Sequence, residues 1–481
     1  MNTVSHPPLR KSIKEISPID VYRLLPRTNC RECGEANCMA FATRLVNGEY
    51  RVTDCPPLRT QEFHGLYLEL CDLLHPPVKA VTIGTGVHAI TIGGKHVVYR
   101  HDFTYHNPTA IAIDVTDSML HEDLVKRVKA IESFSYQYIG RTLSLDAIAI
   151  RSTSGDPGSF AAAVGTVAGN SDYPLILCAH DPIVMAAGIK RVKERRPLLY
   201  AATEKNWKEM AELAILNSCP VVVSAPGNIP LLRSLAKTLM EYEIPDIVLD
   251  PGTVTDSGLA RTITDFSMIR QAACTSHDEI LGFPLLGTPI SAWAGVELSR
   301  EAVQWTEAYV ASMLISRYAD LLIMHGLEGW ALLPQLIWRF NIYTDPRKPV
   351  SVDAGVRSFG DADKESPLLI TTNYALTYFT VESDIKSAHL DCHLLVVDTG
   401  GISVESAVAG RYLTAESMTA ALNEYNAVSL VNHRNLIIPG LAARLSGDTE
   451  ETSGWHVMVG PKDSSGLSQY IRDNWPPKSD E

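Results

Sequence analysis

The stretch Ala110-Ile111-Ala112-Ile113-Asp114 shows the pattern that organises most of this 481-residue chain, a short apolar run that ends in a polar residue. Continuous apolar runs, without alternation, are typical of strands that are buried on both faces of a parallel sheet. Stretches with helical spacing, such as 206–217 and 229–242, lie between the runs. Seven further runs follow the first: Ala147–Ile150, Leu175–Cys178, Leu198–Ala201, Val221–Val223, Ile247–Leu249, Pro284–Leu286 and Leu321–Met324.

Eight strands that alternate with helices are the number that a (β/α)8 TIM barrel requires, and the pattern predicts such a barrel over residues 76–345. An open, doubly wound sheet is the alternative, because a count of strands does not establish closure. In a barrel, the polar residues that follow the strands meet at the C-terminal mouth, where active sites form. Taken singly, each of them is better explained by strand capping or turn formation. They are Asp114, Arg151, His180, Asp181, Asp250 and His325.

Beyond residue 346 the strands are followed by small or hydroxylated residues. Thr371-Thr372-Asn373 follows one apolar run, and Asp398-Thr399-Gly400-Gly401 follows the next. Small side chains at the carboxyl ends of strands let the backbone approach a large flat ligand, although ordinary tight turns would use the same residues. The pattern predicts an open α/β domain over residues 346–481 with a ligand site at this edge.

Four cysteines near the start of the chain form a C-x2-C-x4-C-x16-C array: Cys30, Cys33, Cys38 and Cys55. Zinc modules usually present two close pairs of ligands. Three closely spaced cysteines, a distant fourth and a proline after it are more typical of iron–sulfur ligation. The spacing therefore favours a [4Fe–4S] cluster in a small domain over residues 1–75, with zinc as the alternative. Catalytic thiols are a third and weaker interpretation, because nucleophilic chemistry does not need four of them.

The composition excludes several classes of protein. The formal net charge of −13 argues against a nucleic-acid binder, because phosphate recognition requires a basic face. Residues 1–20 contain no apolar run that could act as a signal peptide, and no stretch approaches the ~18 apolar residues of a membrane span. The remaining five of the nine cysteines are scattered singly, which predicts free thiols in a reducing cytoplasm.

Together these motifs resemble the large (gamma) subunit of the corrinoid/iron–sulfur protein of the acetyl-CoA decarbonylase/synthase (CO dehydrogenase/acetyl-CoA synthase) complex. The resemblance extends over nearly the whole chain. Two departures are extra residues before Ser17, and Gly400 where the family pattern suggests an acidic residue. The most specific matches are 28–34, 38–42 and 54–57 around the cysteines, 196–203 and 248–253 in the barrel, and 371–379, 433–440 and 459–461 near the C-terminus.

The resemblance implies two cofactors. Cys30, Cys33, Cys38 and Cys55 would ligate the [4Fe–4S] cluster, and residues 346–481 would bind a cobalamin-like corrinoid without a protein histidine on its cobalt. Asp391-Cys392-His393 resembles the start of a cobalt-binding D-x-H-x-x-G motif but lacks the glycine, so His393 is not a predicted ligand. The residues that match the family's corrinoid contacts are Thr371, Thr377, Gly401, Ile402, Ser403, Val404 and Ser464.

The resemblance also implies a function, that of a methyltransferase component. The corrinoid cobalt(I) would take a methyl group from a methyl-tetrahydropterin and pass it to acetyl-CoA synthase, or the reverse, while the cluster reduces cobalt(II) that forms by oxidation. No residue would be catalytic in itself. The implied partners are a small (delta) subunit as heterodimer, acetyl-CoA synthase/CO dehydrogenase, and methyl-tetrahydropterin or its methyltransferase. The alternatives are an iron–sulfur electron-transfer subunit without corrinoid, and a pterin-dependent methyltransferase that uses Asp114 and Asp250.

Overall fold

The computed structural model describes six segments of the chain: 16–47, 50–94, 107–138, 141–294, 298–342 and 349–476. Their contacts divide them into two compact units. The barrel unit comprises the described residues within 1–136 and 143–345, and the C-terminal unit comprises those within 137–142 and 346–481. The predicted division into 1–75, 76–345 and 346–481 stays a prediction, and its second boundary falls in 343–348, outside the described residues.

Three short helices form the N-terminal segment: α1 (Pro18–Arg23), α2 (Cys38–Val46) and α3 (His64–Leu73). Helix α1 begins with a capping box, in which Asp20 N donates to Ser17 Oγ at 3.3 Å and Ser17 N donates to Asp20 Oδ2 at 3.0 Å. Asn37 caps α2 by accepting from Ala40 N at 2.9 Å. The segment buries a core of its own that includes Phe41, Leu58 and Leu70.

The barrel unit continues with strands and helices in alternation. A hairpin of β1 (Ala80–Ile83) and β2 (Ile90–Gly93) comes first. The next strands are β3 (Ala110–Thr116), β4 (Ser135–Tyr138), β5 (Arg141–Ser144), β6 (Ala147–Arg151), β7 (Leu175–Cys178), β8 (Leu198–Ala202), β9 (Val221–Ser224), β10 (Ile247–Asp250), β11 (Leu286–Gly287) and β12 (Leu321–Met324). Among the described strands, β4 and β5 pair only with each other, and their residues between 137 and 142 belong to the C-terminal unit. The helices are α4 (His121–Glu132), α5 (Pro157–Asn170), α6 (Pro182–Val192), α7 (Trp207–Asn217), α8 (Ile229–Glu241), α9 (Leu259–Thr275), α10 (Arg300–Ser316) and α11 (Gly329–Ile342).

Eight of these strands form one parallel sheet in the order β10-β9-β8-β7-β6-β3-β12-β11. The two end strands are joined by a bridge between Leu249 and Leu285, where Leu249 N donates to Pro284 O at 2.8 Å. The sheet is therefore a closed ring, which confirms the barrel prediction and shows that the open-sheet alternative is wrong. The seventh strand differs from its prediction, because β11 is only Leu286–Gly287 and begins two residues later.

The barrel interior is a packed apolar core. Every second residue of the strands faces inward, and the outward residues pack instead against helices α4 to α11. Three side chains of the β1–β2 hairpin, Val81, Ile83 and Ile92, belong to the inner cluster, so the hairpin plugs the barrel. Inward-facing residues of the strands are Ala112, Ala149, Ile176, Leu198, Val222, Val248, Leu286 and Ile323.

The C-terminal unit is an open five-stranded α/β sheet, as predicted. Its order is β13-β15-β14-β16-β17, with β13 antiparallel at one edge and the rest parallel. The strands are β13 (Gly355–Phe359), β14 (Leu368–Thr372), β15 (Cys392–Val397), β16 (Asn435–Ile438) and β17 (His456–Val459). The helices are α12 (Ala375–Ser387), α13 (Val404–Ala409), α14 (Ala415–Glu424), α15 (Ala427–Leu430), α16 (Ser446–Ser453) and α17 (Leu467–Asn474). Among the helices of the described segments, none is long and apolar enough to span a membrane.

Candidate functional site

The four cysteines of the array lie in the N-terminal segment at different depths. Cys30 is exposed and Cys33 is half-buried, both in the loop between α1 and α2. Cys38 is the first residue of α2 and is buried, as is Cys55. Cys38 and Cys55 belong to the apolar core of the segment. A group bound by all four would therefore have one side toward solvent and another inside the core.

The loop that carries Cys30 and Cys33 has an unusual backbone. Arg27, Asn29 and Arg31 have positive φ angles of 58°, 48° and 65°. The left-handed region costs residues other than glycine roughly 1–2 kcal/mol each. Three such residues within five positions mark this loop as a locally strained segment of the backbone. The side chain of Asn29 also accepts from Cys38 N at 2.9 Å, which ties the loop to the start of α2.

The pKa of the Cys55 thiol depends on its burial and on the other cysteines of the array. Burial raises the pKa of the Cys55 thiol, and the charges of the other three array cysteines raise it further. Thiolates that are brought together repel one another, and a bound metal or cluster removes that repulsion. As the side chains stand, no three His, Cys, Asp or Glu residues in the described segments come together to hold a metal ion. A donor set of four thiols fits an iron–sulfur cluster.

The C-terminal unit has a cavity of 330 Å³ at the carboxyl ends of β14 and β16. Ligands of parallel α/β sheets bind at this edge, and the volume is at the small end of ligand pockets. Five predicted residues line it: Thr371, Thr377, Ser403, Val404 and Ser464. Gly401 and Ile402 are not in its lining. The walls also include Leu376, Ile437, Ile438 and Leu467.

A buried hydroxyl in the cavity wall lacks a partner. The Thr371 side chain is 1% exposed, and within the described residues its Oγ1 makes no hydrogen bond. A buried polar group without a hydrogen bond costs about 1–3 kcal/mol, and a bound ligand would relieve that cost. The neighbouring Thr372 also has a buried hydroxyl without a partner in the described segments, but it does not line the cavity. The orphaned Thr371 hydroxyl fits a ligand that presents polar groups at this edge.

Asn373 holds the loop that brings Ser403 and Val404 to the cavity. Its Oδ1 accepts from Thr399 N at 3.0 Å and from Gly401 N at 2.9 Å. Gly401 has a φ of +74°, and a Cβ there would lie 3.1 Å from Pro349 O, so the turn requires glycine. Sequence reasoning placed Gly401 at the ligand and missed Asn373, because a motif does not show which side chain fixes a loop.

The structure also locates the polar residues that follow the barrel strands. Asp181 caps α6 by accepting from Ile183 N at 2.8 Å, so its role is the predicted structural one. Asp250 is buried and accepts from Tyr200 Oη at 2.8 Å and from Ser224 Oγ at 2.9 Å. Burial raises the pKa of the Asp250 carboxyl, and these hydrogen bonds oppose the rise. Three of the other mouth residues, Asp114, Arg151 and His325, form one hydrogen-bonded network, whereas His180 lies beside Tyr200 with 6.0 Å between ring centroids.

Comparison with known proteins adds two family matches. Residues 80–471 match a family model that is described as the CO dehydrogenase/acetyl-CoA synthase delta subunit. Residues 25–57, which contain all four array cysteines, match a family model whose description is an Fe-S cluster. The Fe-S match supports an iron–sulfur cofactor in this segment.

The curated relatives match almost the whole chain. The acetyl-CoA decarbonylase/synthase complex subunit gamma of Methanosarcina acetivorans is 48% identical over 467 residues, which are 96% of this chain and 99% of that one. The subunit gamma of Methanothermobacter thermautotrophicus is 42% identical over 457 residues, 95% of this chain and 98% of that one. Among solved structures, dihydropteroate synthase of Thermus thermophilus is similar with 14% identity and a TM-score of 0.38, over 55% of this chain and 97% of that one.

Proposed function

Because the chain belongs to the family of gamma subunits of the acetyl-CoA decarbonylase/synthase complex, we propose that it carries a methyl group on a bound corrinoid. The corrinoid binds at the cavity of the C-terminal unit. A [4Fe–4S] cluster binds to Cys30, Cys33, Cys38 and Cys55. When bound, the corrinoid supplies a cobalt centre that accepts and releases a methyl group, and the cluster supplies electrons that restore the reduced cobalt.

The observation that supports this proposal most is the orphaned hydroxyl of Thr371 in the cavity wall. A corrinoid carries amide side chains around its edge, and these are natural partners for buried hydroxyl groups. Thr377 and Ser464 bring two more hydroxyls to the same cavity, and Ser464 Oγ donates to Asp384. The apolar part of the lining, which includes Leu376 and Ile437, would pack against a flat macrocycle and exclude water from that face.

The proposed tasks of the protein's own residues are binding and positioning. Asn373 fixes the loop that presents Ser403 and Val404. His393 is 5% exposed within β15, where its ring meets Ser358 Oγ at 2.8 Å and Asp363 O at 2.9 Å. This position agrees with a corrinoid that takes no ligand from His393. In the N-terminal segment, the buried Cys38 and Cys55 would shield one side of the cluster from water.

The proposal includes partners and a reaction. The chain acts as a methyltransferase component, with methyl-tetrahydropterin or its methyltransferase on one side and acetyl-CoA synthase/CO dehydrogenase on the other. A small (delta) subunit completes a heterodimer. We place the chain in a reducing cytoplasm, where the five cysteines outside the array would remain thiols.

The Thr371→Val variant tests the proposed corrinoid site. Valine keeps the shape of threonine and removes the orphaned hydroxyl, so the cofactor-free protein should be as stable as the wild type or slightly more stable. Loss of one neutral hydrogen bond, worth about 0.5–1.5 kcal/mol, should weaken corrinoid binding roughly two- to tenfold. The measurement is a titration of cofactor-free protein with cobalamin, followed by its visible spectrum.

Thr372→Val is the matched control, because its hydroxyl is equally buried and unpartnered in the described segments but lies outside the cavity. We expect unchanged corrinoid affinity for this variant. Equal affinities for Thr371→Val, Thr372→Val and the wild type would contradict the proposed site.

A further inference from the structure

The barrel interior changes from apolar to polar at its C-terminal mouth. Strands β6, β3 and β12 are neighbours in the barrel, and their inward-facing residues include Ala149, Ala112 and Ile323. Two positions further along the chain, in the same order, come Arg151, Asp114 and His325. Because side chains of a strand alternate between faces, these three continue the inward stripe. Ligand sites of TIM barrels form at this layer, whereas a purely structural core needs no charged groups there.

One buried carboxylate organises this layer. Asp114 is fully buried, and its Oδ2 accepts from Arg151 Nε at 2.8 Å. Its Oδ1 lies 2.6 Å from His325 Nδ1 and 3.3 Å from Arg127 Nη2. Burial acts to raise the pKa of Asp114, but the His325 hydrogen bond and the nearby positive charges outweigh it and lower the pKa. Asp114 is therefore an ionised anchor for the two side chains that reach the mouth.

Arg151 and His325 each hold Asp114 with one nitrogen and have other nitrogens available for hydrogen bonds to a ligand. Arg151 uses only its Nε on Asp114, and its two Nη groups have no protein partner within the described residues. Its side chain is 39% exposed. His325 uses Nδ1 on Asp114, its Nε2 has no hydrogen-bond partner in the part of the chain that the structure describes, and its side chain is 34% exposed. The ring of Trp293, 4.6 Å from that of His325 between centroids, restricts the imidazole further.

The acidic groups around these two side chains are already engaged. Asp117 accepts from Thr153 N at 2.8 Å and from Ser154 Oγ at 2.7 Å. Glu307 accepts from the backbone N–H groups of His325 and Gly326 at 2.6 and 2.9 Å. Burial raises the pKa of Glu307, which favours its neutral form. Among the described residues, the guanidinium fork of Arg151 and the imidazole edge of His325 are therefore charged or titratable groups of this layer that remain available to a ligand.

We propose that the barrel mouth binds a small molecule through an oxyanion, either a carboxylate or a phosphate, with Arg151 and His325 as its binding residues. An arginine whose Nε is fixed presents its Nη groups as a preorganised fork, which matches the two oxygens of an oxyanion. Asp114 positions both residues and does not touch the ligand. This site shares no residue with the proposed corrinoid and cluster sites and does not depend on either cofactor.

The full-length protein should bind inorganic phosphate or acetate at one site, which 31P and 13C NMR titrations measure separately. The phosphate arm and the acetate arm distinguish the two kinds of oxyanion. In Arg151→Gln, the glutamine Nε2 occupies the place of the arginine Nε and can still donate to Asp114, while both Nη groups are lost. Because charge-assisted hydrogen bonds are the strong ones, this variant should bind the preferred ion about tenfold more weakly or worse.

A second variant tests the same site independently, in case Arg151→Gln does not fold correctly. His325→Asn keeps an N–H donor at the Nδ1 position toward Asp114 and removes the Nε2 edge, so it should also weaken binding. Arg191→Gln, on an exposed arginine of α6, should leave binding unchanged. Failure of the wild type to bind either ion would overturn the proposal, and so would wild-type affinity in both Arg151→Gln and His325→Asn.

Discussion

Replacement of Cys55 with alanine should remove the iron–sulfur cluster and leave corrinoid binding intact. Cys55 is buried in the core of the N-terminal segment, and the charges of the three other array thiols act on it. All four thiolates ligate the proposed cluster, so loss of the buried Cys55 ligand should reduce the iron content per chain to a small fraction of the wild-type value. Iron and cobalt analysis of the purified variant, together with its visible spectrum, measures both cofactors at once.

The same variant separates the roles of the two cofactors. Supplied with reduced corrinoid, Cys55→Ala should still transfer methyl groups, but it should not recover after oxidation to cobalt(II). Cys71→Ala is the matched control, because Cys71 lies in α3 of the same segment but outside the array. Undiminished iron in Cys55→Ala, or equal loss of iron in Cys71→Ala, would contradict the assignment of the cluster ligands.

Replacement of Asp320 with alanine should produce the largest loss of stability in the barrel. Asp320 is buried, and its Oδ2 accepts from Arg270 Nη2 and from Leu285 N, both at 2.8 Å. Leu285 is the residue that bridges to Leu249 and closes the barrel. Removal of Asp320 leaves the 1%-exposed Arg270 charge without this partner, and such changes cost about 3–5 kcal/mol.

Urea unfolding of the full chain, followed by circular dichroism, measures this cost as a lower midpoint of the barrel transition. Glu241→Ala is the control, because Glu241 pairs with Lys237 on the surface of α8 and both side chains are more than half exposed. Exposed pairs of this kind contribute little. If Asp320→Ala and Glu241→Ala unfold at the same urea concentration, the Asp320–Arg270 pair does not hold the barrel closed.

Apolar runs in the sequence predicted most strands of the barrel and of the C-terminal sheet, but not how the barrel closes or where the C-terminal sheet ends. Seven of the eight barrel strands coincide with apolar runs, because strands buried on both faces must be apolar throughout. Closure depends instead on the hydrogen bond from Leu249 to Pro284 and on the two-residue strand β11, and neither has a local signature. The edge strand β13 was also missed, since Gly355–Phe359 mixes polar and apolar residues and pairs on one side only.

The candidate site was predictable where chemistry follows from residue type and spacing. Four cysteines at these intervals indicate a metal site from the sequence alone, and the Fe-S family match covers the same residues. The left-handed conformations of Arg27 and Arg31 could not be foreseen, because neither residue type favours them. In the C-terminal loop, contiguous residues 401–404 were predicted together, but the turn at Gly401 sends only Ser403 and Val404 to the cavity.

The central claim is that the C-terminal unit of this chain binds a corrinoid. The most direct measurement is the cobalt content of the full-length protein, reconstituted anaerobically with cobalamin and freed of unbound cofactor, together with its visible spectrum. We predict about one cobalt per chain and corrinoid bands above the broad absorption of the cluster. Iron without cobalt would contradict the claim and favour an iron–sulfur electron-transfer subunit.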